Sequence, residues 1–458
     1  MSVEIIILAA GQGTRMQSPL PKVLHQVAGK SLLRHVIETA SQLEPAAIHV
    51  VVGHGAEQVQ AECADVAGLQ WHIQTEQLGT GHAVMQAIPA VAQDSQVVVL
   101  YGDVPLLRIE SLRDLIEASK TGPALLTARL ADPAGYGRIL RSKTGELLGV
   151  VEDKDASSEQ RAIPEINTGV LASPAADLKH YLPEVNNDNS QGEYYLPDIL
   201  PLVLQAGKSI TSSLVTDEMD VLGVNDRVQL HAVEREYQLR TAQALMRQGV
   251  TLADAGRFDV RGNLRCGKNV FIDVNVVFTG DVVLGDDVRV GPNCVITHTR
   301  IGPDCDIHAF SHLEDAVVEQ GASVGPYARL RPGTELAAGA RVGNFVETKK
   351  ARIGAGSKVN HLSYVGDCEM GAGVNVGAGT ITCNYDGVNK HLTRIGDGVF
   401  VGSNSTLVAP LTIEADGFVA AGSTVTKTVG AGDLAVSRAR QRNIEGWIRP
   451  QKQPEGEG

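Results

Sequence analysis

The stretch Val324-Gly325-Pro326-Tyr327-Ala328-Arg329-Leu330-Arg331-Pro332-Gly333-Thr334-Glu335-Leu336-Ala337-Ala338-Gly339-Ala340-Arg341-Val342 decides how the second half of the chain folds. A branched aliphatic returns every six residues, at Val324, Leu330, Leu336 and Val342, and a small residue follows four places later, at Ala328, Thr334 and Ala340. Six fits neither the 3.6-residue period of a helix nor the two-residue period of a strand. It is the hexapeptide period of a parallel β-helix. Each hexapeptide gives one short strand and a turn, three close a triangular coil of roughly 18 residues, and positions i and i+4 point inward.

The ladder continues on both sides. Leu284, Val290, Ile301, Ile307, Leu313 and Val318 precede it, and Ile353, Val359, Val365, Met370 and Val376 follow. After an interruption over 382–394 it resumes at Ile395, Val401, Leu407, Ile413, Val419 and Val425. Ser357, Ser363, Thr380, Ser405 and Ser423 extend the small set. The 49 glycines suit tight corners that need positive φ. The interruption reads as a loop, a lid or an arm reaching a neighbouring subunit.

The first half has a different grammar. Val3-Glu4-Ile5-Ile6-Ile7-Leu8 is an apolar strand of the kind buried on both faces of a parallel sheet. Further apolar runs at 48–52, 97–100 and 125–130 alternate with helical patterns at 32–40 and 112–118, which predicts a doubly wound α/β domain over 1–226. Residues 227–249 read as one helix, with Leu230, Val233, Tyr237, Ala244 and Leu245 as its stripe and Gly249 as its stop. The β-helix spans 250–436, and a tail runs over 437–458. Residues 451–458 carry no pattern and are expected to be disordered.

Composition narrows the partners. Against 53 Asp and Glu stand 40 Lys and Arg, a net charge of −13, which argues against nucleic acid or an anionic membrane. The six cysteines show no Cys-x-x-Cys spacing, so neither a zinc site nor a disulfide framework is indicated. There is no signal-like N-terminus and no apolar run long enough for a bilayer, so a cytoplasmic protein is expected.

Chemistry-bearing residues gather at the strand ends. The loop Gly11-Gln12-Gly13-Thr14-Arg15-Met16 follows the first strand. Its two glycines let backbone N–H groups crowd an anion. Met16 stands where a dinucleotide fingerprint has its third glycine, and no Gly-Lys-Ser/Thr follows, so it is neither that fingerprint nor a Walker loop. Tyr101-Gly102-Asp103 ends another strand and offers a carboxylate suited to a hard ion such as Mg²⁺. In the β-helix, Arg331 and Lys349 hold equivalent places on adjacent coils, about 4.8 Å apart. Two cations so close predict an anion between them, of phosphate size. His361 lies two places after Val359 and so points outward, near that anion site, where a neutral imidazole can take a proton. Ala378, one coil on, leaves room beside it. Ser403 and Ala421 stack at the same position of later coils, and Arg438, Arg440 and Arg442 form a basic patch.

The wider strings carry a resemblance. Leu8-Ala9-Ala10-Gly11-x-Gly13-Thr14-Arg15-Met16 with Pro21-Lys22 resembles the nucleotidyltransferases that make nucleotide-sugars. Gln74-Thr75-Glu76-Gln77-Leu78-Gly79-Thr80-Gly81-His82 resembles their segment for uracil and ribose. Tyr136-Gly137-Arg138-Ile139, Val151-Glu152-Asp153-Lys154 and Ile166-Asn167-Thr168-Gly169 resemble those for the amino sugar. Gly343-Asn344-Phe345-Val346-Glu347-x-Lys349-Lys350, His361-Leu362-x-Tyr364 and Asn375-x-Gly377-Ala378-Gly379-Thr380 add C-terminal motifs. Together they are similar to the bacterial bifunctional N-acetylglucosamine-1-phosphate uridyltransferase/glucosamine-1-phosphate N-acetyltransferases over nearly the whole chain.

The resemblance implies a Rossmann-like nucleotide-sugar transferase domain, a linker helix and a left-handed parallel β-helix that assembles as a homotrimer. It implies acetyl transfer from acetyl-CoA to glucosamine 1-phosphate, then Mg²⁺-dependent uridylyl transfer from UTP, which supplies peptidoglycan and lipopolysaccharide precursors. Leu8, Ala9, Ala10, Gly11, Arg15, Lys22, Gln74, Gly79, Thr80, Tyr101, Gly102, Asp103, Gly137, Glu152, Asn167 and Asn225 would bind UTP and UDP-N-acetylglucosamine, with Asp103 and Asn225 on the metal. His361 would be the general base. Arg331, Lys349, Tyr364 and Asn375 would hold the sugar phosphate. Ala378, Asn384, Tyr385, Ser403, Ala421 and Arg438 would line the acetyl-CoA site. An alternative, a single-activity nucleotidyltransferase whose β-helix only assembles or senses an effector, lacks the Arg331, Lys349, His361 and Tyr364 set in the relatives of that kind.

Overall fold

Strand β1, Val3–Ala9, is the spine of the first unit. It pairs in parallel with β2 (Ala47–Val52) on one side and β4 (Gln96–Tyr101) on the other. Its side chains alternate between two cores: Ile5 and Ile7 pack with Leu33, Val50 and Leu100, whereas Ile6 and Leu8 pack with Val84, Val99 and Ile199. A strand buried on both faces needs apolar residues at every position, which its sequence supplies. The remaining strands of its sheet are β3 (Leu69–Ile73), β5 (Ala124–Arg129), β6 (Gly137–Arg141), β7 (Leu147–Val151), β8 (Glu165–Pro174) and β9 (Thr211–Leu214). The order is β9-β5-β8-β4-β1-β2-β3, with β6 joined to β8 and β7 to β6. Strand β8 runs antiparallel to β4 and β5. Chain order reverses between β1 and β4, so a crevice opens beyond their carboxyl ends.

The computed structural model describes residues 2–451. The disorder expected over 451–458 therefore falls, except for Gln451, outside the described residues. Two compact units emerge: Met1–Ala244 with Val260–Gly262, and Leu245–Asp259 with Asn263–Gly458.

Helix Arg227–Arg247 starts where Asp226 accepts from the N–H groups of Val228 and Gln229, both at 2.9 Å. Val233 packs with Val27, Leu32 and Val224 of the first unit, and Leu230 and Tyr237 join them. Ala244, read from the sequence as part of the stripe, is exposed. Gln238 is buried in the helix instead, because its amide pairs at 2.8 Å with both N–H and C=O of Val260. A polar residue thus fills a core place by completing backbone hydrogen bonds.

The second unit is a parallel coil. Ile307 pairs with Val324 and Val324 with Val342, so a coil takes 17 or 18 residues. Every aliphatic rung of the ladder from Leu284 to Val425 is at most 5 % exposed. The small set is buried too, and its hydroxyls close corners: Ser357 donates to the Gly371 carbonyl and Thr380 to that of Gly377. Val376 pairs with Val401, a coil of 25 residues that absorbs the 382–394 interruption. Inside that loop Asp386 accepts from the N–H groups of Val388 and Asn389 and from His391 Nε2, which holds its carboxyl well below the usual range.

Many corners place Asn or Asp at positive φ, as at Asn293, Asp304 and Asn404. Between Asn293 and Asn404, four successive corners of one line carry bulky residues instead. Phe310, Tyr327, Phe345 and Leu362 sit at φ 60, 55, 55 and 47°, a region bulky residues rarely adopt. Their exposures are 49, 49, 56 and 64 %. The first three rings stack at 4.9 and 5.3 Å.

Candidate active sites

Beyond β1 and β4 lies a cleft of about 260 Å³. Leu8, Ala9, Ala10, Gly11, Lys22, Gln74, Gly79, Thr80, Tyr101 and Asp103 line it, together with Gln77 and Glu193. Gly13 is held at φ 65° with the stem of Lys22 against it, where a Cβ would meet Lys22 Cβ at 2.6 Å. That packing aims Lys22 at the Asp103 carboxylate, with which it pairs, and at Asn225 Oδ1, 3.2 Å away. The Val224 N–H donates to the Asp103 carbonyl at 2.9 Å and joins the two loops. An ammonium therefore stands where a carboxylate and an amide oxygen converge. These two oxygens fit Mg²⁺, which keeps most of its ligands from phosphate and water. Among the described residues no cluster of three His, Cys, Asp or Glu could hold a metal alone.

Tyr101 connects the cleft to the sugar-side residues. Burial, with Glu152 and Asp103 nearby, pushes its phenol pKa up. Gly169 lies against its ring, where a Cβ would come within 2.6 Å. Asn167 Oδ1 accepts from the Gly169 N–H at 3.0 Å. A Cβ on Gly137 would meet Glu152 at 3.1 Å. Burial raises the Glu152 pKa, and Asp198, Asp155, Asp153 and Glu193 raise it further. Arg15 is exposed on the turn Thr14–Met16, whose Met16 is buried.

In the coil, Asn344 and His361 are strand partners. The His361 Nδ1 and Asn344 Oδ1 are 3.0 Å apart, so Nδ1 carries the proton and Nε2 keeps a free lone pair. Val359 pairs with Val376, Val376 with Val401 and Val401 with Val419. Two places on, His361, Ala378, Ser403 and Ala421 therefore form one column, with Arg438 donating to the Ala421 carbonyl.

Leu330 pairs with Thr348, which puts Arg331 beside Lys349. The two cations are not alone, contrary to the expectation from the sequence: Glu347 lies 2.8 Å from Arg331 and already offsets part of the charge. The crowding persists because Lys390, from the loop, stands against Lys349 and with Arg331 holds the Lys349 pKa low. Tyr364 is the strand partner of Glu347, and its ring lies over Gly366. Asn384 donates to Asp367. Asn375 pairs with Lys358 and Phe400, on the sheet that carries His361. A roomier groove of about 660 Å³ carries the exposed pairs Glu335–Arg352 and Glu369–Arg394 and none of these residues.

Residues 5–163 match the MobA-like NTP transferase domain and residues 263–298 the bacterial transferase hexapeptide repeats. The Bifunctional protein GlmU of Marinobacter nauticus is 55 % identical over 98 % of this chain and 99 % of its own. That of Pseudomonas putida is 56 % identical over 99 % of each. The chain belongs to the GlmU family. It is accordingly a bifunctional transferase, with uridyltransferase and acetyltransferase activities on one polypeptide. A solved structure, a putative glucose-1-phosphate thymidylyltransferase of Bacillus anthracis, covers 51 % of this chain and 94 % of its own at 18 % identity and a TM-score of 0.42, too remote to bear on the argument.

For this GlmU-family enzyme, sequence reasoning missed three neighbours. Asn344 could have been found, since it stands 17 residues before His361, a coil step seen elsewhere in the ladder. Glu347 follows from the same register. Lys390 carried no signal, because it lies in the excursion, where the six-residue phase is lost.

Proposed function

We propose that the GlmU-family reactions run at these two sites with the residue roles that follow. At the coil site His361 Nε2 takes a proton from the amine of glucosamine 1-phosphate as that nitrogen attacks the thioester of acetyl-CoA. The N–C bond forms, the C–S bond breaks, and CoA leaves as the thiol. Arg331, Lys349 and Lys390 hold the sugar phosphate, and Tyr364, Asn375, Asn384 and Tyr385 position sugar and acetyl group. Ala378, Ser403, Ala421 and Arg438 take the CoA. The observation that carries this reading is the Asn344–His361 pair at 3.0 Å, which leaves Nε2 unprotonated.

At the cleft, the phosphate oxygen of N-acetylglucosamine 1-phosphate attacks the α-phosphorus of UTP in line, and pyrophosphate departs. Lys22 and Arg15 neutralise the triphosphate, Gln74, Gly79 and Thr80 bind the nucleoside, and Gly137, Glu152 and Asn167 bind the sugar. Asp103 and Asn225 would hold a Mg²⁺, whose charge offsets that of the phosphates. No protein nucleophile is required. The exposed, strained line of Phe310, Tyr327, Phe345 and Leu362 supports a homotrimer packed through the coil. No described helix is long and apolar enough to cross a membrane, and a cytoplasmic enzyme is the reading.

The test separates the halves. With acetyl-CoA and glucosamine 1-phosphate but no UTP, His361→Ala should release no CoA thiol, while its pyrophosphate release from UTP stays normal. Near-normal thiol release from that variant would remove His361 as the base.

A further inference from the structure

The nucleotide cleft contains an amide whose orientation is set from behind. Gln74 follows β3, is 3 % exposed and lines the cleft. Its Nε2 donates to the Gly79 carbonyl at 3.2 Å and lies 3.0 Å from Nδ1 of His82. A carbonyl can only accept, so the amide nitrogen must face Gly79; turned over, two oxygens would oppose each other. Gly79 itself cannot yield. It sits at φ 105°, and a Cβ there would meet the Tyr194 carbonyl at 2.6 Å.

The second amide hydrogen of Gln74 then points at His82 Nδ1. That nitrogen must be the unprotonated one, so the ring hydrogen belongs on Nε2. Nε2 faces the side-chain amide nitrogen of Gln86 at 3.2 Å, and that amide also donates to the His82 carbonyl at 3.0 Å. One of the two amides must give way. Gln86 is only half-buried and can turn, whereas Gln74 is enclosed, and an unmatched donor pair costs more in the enclosed place. Both amide hydrogens of Gln74 are thus committed to the protein, which leaves Oε1 as the group it offers to the cleft.

We propose that His82 is a positioning residue for base selection: by accepting from Gln74 it holds Oε1 toward the nucleobase. An acceptor there matches the N3–H donor of uracil and opposes the N3 acceptor of cytosine. The inference rests on the reading that the base of UTP sits at Gln74.

The experiment compares kcat/KM for UTP and CTP in the full-length enzyme and in His82→Phe, His82→Asn and Gln74→Ala. In His82→Phe only the Gly79 carbonyl is left to hold the amide, so KM for UTP should rise about tenfold with a smaller change in kcat, and the UTP-to-CTP preference should fall by at least about tenfold. His82→Asn, whose Oδ1 takes the place of Nδ1, should recover most of the preference. If His82→Phe keeps the wild-type preference, or lowers both nucleotides equally while Gln74→Ala changes it, the positioning role is overturned. If Gln74→Ala leaves the preference unchanged, the base lies elsewhere and the reading beneath the inference fails instead.

Discussion

Glu152 is a residue whose local chemistry works against its own stability. Its environment, buried and ringed by Asp198, Asp155, Asp153 and Glu193, favours the protonated form. A carboxyl raised in the folded state binds its proton more tightly there than in the unfolded chain. Between the ordinary value of 4.5 and the raised one, stability therefore falls as pH rises. At neutral pH the group is a liability for stability, which its proposed place at the sugar hydroxyls would account for. Glu152→Gln should raise the melting temperature at pH 7.5, and the gain should vanish below about pH 4.5, where the wild-type carboxyl is protonated in both states. The same variant should raise KM for N-acetylglucosamine 1-phosphate about tenfold, since a hydrogen bond to a charge is replaced by one to a neutral amide. A variant no more stable than wild type would show that the surrounding carboxylates are compensated. Little of this was legible in the sequence: Glu152 was recognisable as a sugar-side residue only through its string, and although Asp153 and Asp155 adjoin it, Asp198 and Glu193 come from a distant segment. His361 was legible, because a ladder of fixed period states which positions face outward.

At the scale of elements, the coil was readable because its period is its mechanism. One face of each hexapeptide is buried against the coils above and below, so the aliphatic spacing and the rungs agree from Leu284 to Val425. The β8 strand was not readable, since an antiparallel partner inserted between parallel strands leaves no mark on local periodicity. Nor was Ala244 against Gln238, where hydrogen bonds to Val260 overrule hydrophobicity. The corner line holds a testable consequence. Phe345 stands at φ 55° and is 56 % exposed, where Asn fits the backbone better and a phenyl ring gains nothing from water. Phe345→Asn should leave the melting of the separated chain unchanged or higher while weakening the association between chains. Sedimentation velocity over a dilution series should find smaller species at concentrations where the wild type keeps the proposed trimer. An unaltered trimer would place the interface on another face of the coil.

For the whole molecule, the decisive fact is that the two proposed sites lie in different compact units. The Lys22–Asp103 cleft belongs to the first and the His361 column to the second. The motifs at both ends of the chain made that division legible, because each is built on local strings, a loop at a strand end or neighbouring coils. Neither proposed reaction leaves a group bound covalently to the protein, so the acetylated sugar phosphate departs as a free small molecule. Chains crippled at one site each should therefore complement one another through solution. An equal mixture of His361→Ala and Asp103→Ala should make UDP-N-acetylglucosamine from glucosamine 1-phosphate, acetyl-CoA and UTP, although neither variant does so alone. Product should appear after a lag while N-acetylglucosamine 1-phosphate accumulates, and the lag should shorten as more Asp103→Ala, the acetylating variant, is added. If each variant keeps its surviving half-reaction and the mixture still makes nothing, the intermediate must pass between sites without release.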